Sequence, residues 1–133
     1  MRKFVYWTGM SDFLVALGAW GGALQVASAP EPQTGSFVPL VTLGAFLMMA
    51  AALLMWASAN LQERAPVVFW QGLVRLSAVS AVIYAVPASL AENAEYVLIL
   101  IDLPIGLTYL IGSVRVTGRS PADLLLCRTA ASA

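Results

Sequence analysis

The chain has 133 residues, 60% of them hydrophobic and 11% charged, with a mean hydropathy of +0.83. Soluble domains carry about 25% charge, and a core this small leaves much of its area exposed. A water-soluble globule is therefore excluded and lipid is the expected solvent. Seven basic and seven acidic residues cancel, so no charge excess points to nucleic acid.

Crossing a hydrocarbon core of roughly 30 Å takes about 20 helical residues. Four apolar runs reach that length, at 5–29, 37–59, 67–89 and 95–113. None alternates in polarity over about ten residues as a barrel strand would. The fold expected is all-α: a polytopic, antiparallel four-helix transmembrane bundle over 1–113, followed by a cytoplasmic tail over 114–133.

The first span opens on YWTGMSD (6–12), which buries Asp12 in an apolar helix. A basic start, the apolar run and Ala27-Ser28-Ala29 imitate a cleavable secretory signal. Pro30, Asp12 and an apolar run roughly twice the usual length argue that the span is retained. Gly18 and Gly22 form a small-xxx-small pair, read here as packing inside the bundle. A connection of sequence PEPQTGS (30–36) leads to the second span, and NLQERAP (60–66) is expected to be the second loop.

The third span begins with FWQGLVR (69–75), a near copy of YWTGMSD that ends in Arg75 instead of Asp12. A looser echo pairs Leu43-Gly44 with Ile105-Gly106. Either a helical hairpin has been duplicated about an axis along the membrane normal, or unrelated apolar helices happen to look alike. Ser77, Ala81 and Ala85 repeat the small-residue spacing, again read as internal packing, and Pro87 is expected to kink or end the helix. After LAENA (90–94), Glu92 and Glu95 favour the N-terminus of the fourth helix. That helix carries Asp102, with Pro104 two residues on to bend it.

In the tail, Ser120-Pro121-Ala122-Asp123 supplies a capping hydroxyl, a first-turn proline and an acid near the helix dipole. Leu124, Leu125, Leu126 and Cys127 are too few to span. A short interfacial helix is expected, with Cys127 as a small apolar residue on it and the last five residues disordered.

Orientation follows from the positive charges. Arg2, Lys3, Arg64, Arg115, Arg119 and Arg128 flank one side, while the first and third connections hold only Glu31, Glu92 and Glu95. The positive-inside rule puts both termini and the second loop on the cytoplasmic side. Tyr6, Trp7, Trp56, Phe69 and Trp70 fall near the same ends, as an aromatic belt requires.

At 1.5 Å per residue, Asp12 and Arg75 lie roughly 12–13 Å into the membrane and Asp102 roughly 10 Å from the opposite side. Each charge facing lipid there costs about 2.5–3.5 kcal/mol on insertion scales. Arg75 has five donors and stays protonated, so it can serve two carboxylates. The expectation is a buried polar cluster of Thr8, Asp12, Gln71, Arg75 and Asp102. In it Asp12 pairs with Arg75, Asp102 joins or faces them through water, and Gly9 and Gly72 permit close approach. Two acids against one base leave a carboxylate to exchange a proton or hold a cation. The same pair can equally serve as structural glue that fixes register.

One cysteine and no histidine exclude a dithiol pair, histidine-ligated haem, the usual zinc or copper sites and histidine-based acid–base chemistry. No catalytic residue, cofactor or metal ligand is expected. Four short spans, SDFLVALGAWGG in the first, IDLPIGLTYLIG in the last and a basic tail resemble small bacterial DoxX-like membrane proteins. That resemblance implies a membrane-associated role beside redox or stress complexes and assigns no site residue.

Three function classes follow, in this order. The first is an accessory or assembly subunit of a membrane complex. The second is a small oligomeric ion- or proton-coupled transporter using Asp102 and the Asp12–Arg75 pair. The third is a lipid- or isoprenoid-binding protein or enzyme.

Overall fold

A computed structural model of the chain describes residues 1–30 and 35–128. All regular structure among them is helical: α1 (Arg2–Ser28), α2 (Phe37–Ala59), α3 (Leu61–Ala85), a 3₁₀ turn (Asn93–Glu95), α4 (Tyr96–Thr117) and α5 (Pro121–Leu125). The first four α-helices are each long and apolar enough to cross a membrane, which marks a membrane protein. The chain divides into two compact units, Arg2–Ala59 and the residues from Asn60 onward, with which Met1 is grouped.

The first unit is an antiparallel hairpin of α1 and α2. α1 starts three residues earlier than expected and takes in Arg2 and Lys3; its last turn is closed by Ser28, whose hydroxyl donates to Leu24 O at 2.8 Å. Its buried residues Val5, Gly9, Asp12, Ala16 and Ala23 follow intervals of four, three, four and seven, the seam of a helix packed lengthwise on a neighbour. Small residues set how near α2 comes. A Cβ on Gly9 would lie 3.1 Å from Leu54 Cβ and 3.2 Å from Ala51 O, and one on Gly44 would collide with the Trp20 indole. Trp20 lies across Gly44 and donates from Nε1 to Val41 O at 3.2 Å.

The second unit corrects the expected loop at 60–66. Only Asn60 separates α2 from α3, and Pro66 sits inside α3. Leu61, Gln62, Glu63, Arg64 and Ala65 are all strong helix formers, and they carry the helix through a proline still close to its N-terminus, where the missing N–H costs least. At its other end α3 stops at Ala85 rather than 89. Pro87 cannot supply the next helical donor, and Leu90 N–H reaches Ala85 O at 2.9 Å while Ser89 N–H reaches Val86 O at 3.1 Å. That is a Schellman closure, with Ser89 at φ 57 where glycine is usual. α4 runs four residues past its expected end, because Arg115 caps the apolar run without breaking the helix and suits its last turn. Gly118, at φ 66, ends it. Glu95 sits at the N-cap of α4 without a side-chain capping bond, and Glu92 is exposed.

α5 forms as the tail sequence dictates: Asp123 N–H donates to Ser120 Oγ at 3.2 Å, and Ser120 Oγ donates to Asp123 Oδ2 at 2.6 Å. It folds back under its own hairpin, where Leu124 is fully buried with Ala65 and Phe69 and packed by Leu73, Leu110 and Val114. Trp70 Nε1 donates to Leu125 O at 3.1 Å. Cys127 lies beyond α5, exposed and at φ 51, rather than on a helix face. The chain bends there, with Cys127 N–H on Leu124 O and Arg128 N–H on Asp123 O. The expected disorder of the last five residues, and most of the first connection, fall outside the described residues.

The two small-residue stripes pack only in part: Gly22 lies against Leu40 of α2, 3.8 Å from the Cβ it lacks, and Ala85 is half-buried, but the other members are exposed. Gly18 is exposed and nothing lies within 4 Å of the Cβ it lacks. Ser77 and Ala81 are exposed as well. The seams use other small residues instead: Gly9, Ala16, Gly44, Ala51, Ala65, Gly72 and Gly106.

Candidate functional site

The site is built on the α3–α4 seam. Leu61, Ala65, Val68, Gly72, Val79 and Val82 are buried along α3, and Arg75 falls on the same series one turn past Gly72. On α4 the buried residues Gly106, Tyr109 and Ser113 continue a line begun by Asp102 one turn earlier. The two helices meet backbone to backbone at the glycines. A Cβ on Gly72 would lie 3.0 Å from Gly106 O, and one on Gly106 would lie 3.2 Å from Gly72 O. Gln62 Nε2 pins the far end of the same antiparallel register by donating to Val116 O at 2.9 Å.

One turn from that crossing, Arg75 Nη1 donates to Asp102 Oδ1 in an ion pair. The side chains are 13% and 17% exposed, so both charges sit largely out of solvent. A cation and an anion that would each cost several kcal/mol alone in low dielectric here neutralise one another. Tyr109, fully buried, places its ring centroid 6.0 Å from Arg75 Cζ, at the edge of the range in which an aromatic face attracts a guanidinium. Ser113, one turn further along α4, is 1% exposed, and its hydroxyl has no hydrogen-bond partner among the described residues. Pro104 withholds a backbone donor from the turn that carries Asp102, and Thr108 Oγ donates to Pro104 O at 2.7 Å to bind the next turn.

Of the five residues expected to cluster, the described geometry brings Arg75 and Asp102 together directly, with no need of an intervening water. Gln71 is half-buried on α3, beside the seam rather than in it. Thr8 and Asp12 belong to the first hairpin. The Thr8 hydroxyl is within reach of Phe4 O at 2.9 Å and Val5 O at 3.1 Å on its own helix. Asp12 is buried at a seam position of α1.

The sequence reading missed Tyr109 and Ser113. Their signal was spacing: Tyr109 lies seven residues and Ser113 eleven residues after Asp102, which keeps all three on one face of a helix.

The duplication hint is not repeated in the packing. Gly72 meets Gly106, whereas Gly9 meets Ala51 and Leu54, and Gly44 meets Trp20. Among the described residues no group of three or more acidic or cysteine side chains is placed to hold a metal ion. No protein-family model, curated protein or solved structure matches the chain.

Proposed function

We propose that the chain is a small DoxX-like protein of the bacterial cytoplasmic membrane, with both termini in the cytoplasm, that acts as an accessory or assembly subunit of a larger membrane complex. In this reading Arg75 and Asp102 are structural: they fix the register of the α3–α4 hairpin and need no substrate. The observation that carries the proposal is the exposure of small residues on each hairpin. Gly18, Ser77 and Ala81 are exposed on helices otherwise rich in bulky apolar groups. A surface facing only lipid gains nothing from such residues, whereas a helix of another protein packs closely against them.

Substituting Ser77→Leu with Ala81→Leu tests this. The expected result, after extraction in a mild detergent, is loss of a stoichiometric membrane partner with the unfolding midpoint unchanged. A wild-type chain that purifies alone, in bilayer nanodiscs as well as in detergent, overturns the reading.

A second reading rests on Asp102 itself. It keeps some exposure beside a proline-weakened turn, and intramembrane carboxylates are functional candidates by default. As an oligomeric proton- or cation-coupled carrier, the chain would lose flux in liposomes on Asp102→Asn; equal flux in both proteins rules this out. The Asp12–Arg75 pairing expected from the sequence belongs to the same reading. Its test is a double-mutant cycle with Asp12→Asn and Arg75→Ala, in which additive effects on stability refute a direct pair.

A further inference from the structure

At the end of the second hairpin where α3 begins and α4 ends, a groove of about 390 Å³ is lined by Phe69, Leu110, Ile111, Val114, Pro121 and Arg115. Its volume lies in the range of roughly 300–1,000 Å³ typical of small-molecule sites. Three of its lining residues are held by the chain's own packing, since Phe69, Leu110 and Val114 also pack with buried Leu124 and Ala65. What remains is an apolar slot open at the surface, with one cation on its rim.

Arg115 is exposed in the last turn of α4 and has no ion pair among the described residues. The neighbouring charges are otherwise engaged. Asp123 lies 3.9 Å from Arg128 and accepts a hydrogen bond from Ser120, and Arg119 reaches Arg128 O at 3.5 Å. With Arg115, Arg119 and Arg128 set against Asp123, the tail region has an excess of positive charge.

We propose that this groove binds an anionic phospholipid, one acyl chain lying along Leu110, Ile111 and Val114 and the phosphate resting on Arg115. An unfilled apolar slot loses dispersion contacts on one side, and in a bilayer the occupant at hand is hydrocarbon rather than water. The position is right for a headgroup, because Arg115 and Trp70 mark the level where the helices leave the apolar layer. Basic pockets at this level between membrane helices are suited to anionic headgroups. The proposal does not depend on the accessory role.

Native mass spectrometry of the full chain in mild detergent, with phosphatidylglycerol and phosphatidylcholine of matched chains, provides the test. Retention of phosphatidylglycerol should exceed that of phosphatidylcholine by about fivefold, the factor one basic residue contributes near a membrane surface. Arg115→Gln should abolish the preference and Arg115→Lys should keep most of it. Ile111→Trp, at an exposed lining position, should lower retention of both lipids by filling the slot. Glycerol phosphate, a headgroup without chains, should displace neither. Equal retention of the two lipids, an intact preference in Arg115→Gln, unchanged retention in Ile111→Trp, or displacement by glycerol phosphate would each overturn the proposal.

Discussion

Removing Arg75 alone costs more than removing it together with Asp102. With the guanidinium gone, the Asp102 carboxylate stays in the seam between α3 and α4 without the cation that neutralised it. Breaking a buried pair on one side costs about 3–5 kcal/mol, whereas replacing both members by apolar groups is often close to neutral. Arg75→Leu is therefore expected to lower unfolding stability in micelles by about 3 kcal/mol, and adding Asp102→Leu should recover most of that. A double variant as unstable as the single one would show that Arg75 acts mainly through other contacts. That charges in these helices must be neutralised was legible in the sequence, because an ionised group in an apolar run has few alternatives. Which acid meets Arg75 inside the hairpin was not legible. It depends on the antiparallel register, and the register is set by two features that hydropathy does not encode: the start of α3 at Leu61 and the Gly72–Gly106 crossing. Tyr109 escaped notice for a related reason, since a tyrosine in an apolar run reads as filler until its spacing from Asp102 is checked.

Glycine has opposite meanings on the two faces of these helices. At Gly72 an added Cβ would lie 3.0 Å from both Gly106 O and Leu110 Cγ, while at Gly18 it would meet nothing within 4 Å. Gly72→Ala should therefore push α4 away and cost about 1–3 kcal/mol, the usual penalty for overpacking. Gly18→Ala should gain about 0.5–1 kcal/mol from helix propensity alone. Unfolding of both variants in one detergent checks the contrast, and equal effects would mean that the α3–α4 crossing is looser than its geometry. The helix ends can be tested too. Ser89 occupies the left-handed position of the closure after α3, which costs a non-glycine residue roughly 1–2 kcal/mol. Ser89→Gly should raise the unfolding midpoint of the chain; a lower midpoint would show that the serine side chain contributes more than the backbone strain removes. The apolar core of each helix was readable from hydropathy, and α2 was placed to the residue. The ends were not, because propensity at 61–65 outweighed Pro66 and because the helix persists past Arg115 to Gly118.

For the whole molecule, the remaining question is which side of the membrane each helix end faces, and the distribution of basic residues makes a testable prediction for it. Arg2, Lys3, Arg64, Arg115, Arg119 and Arg128 all lie at or beyond span ends that an even number of crossings puts on one side, while Glu92 and Glu95 lie between α3 and α4. Lys and Arg are retained in the cytoplasm and acids contribute little to orientation, so the bias points one way at every connection. If all four candidate spans cross, the rule predicts the tail on the side where the chain began. The protein carries its own probe for this. Cys127 is its one cysteine and is exposed just past α5. A membrane-impermeant maleimide should leave it unmodified in intact spheroplasts and label it in inverted vesicles, with detergent-solubilised protein as the full-labelling control. Labelling from the outside would reverse the orientation of all four helices. It would also place Arg115 and the groove beside it in the outer leaflet, where the anionic lipid proposed as its occupant would have to be supplied.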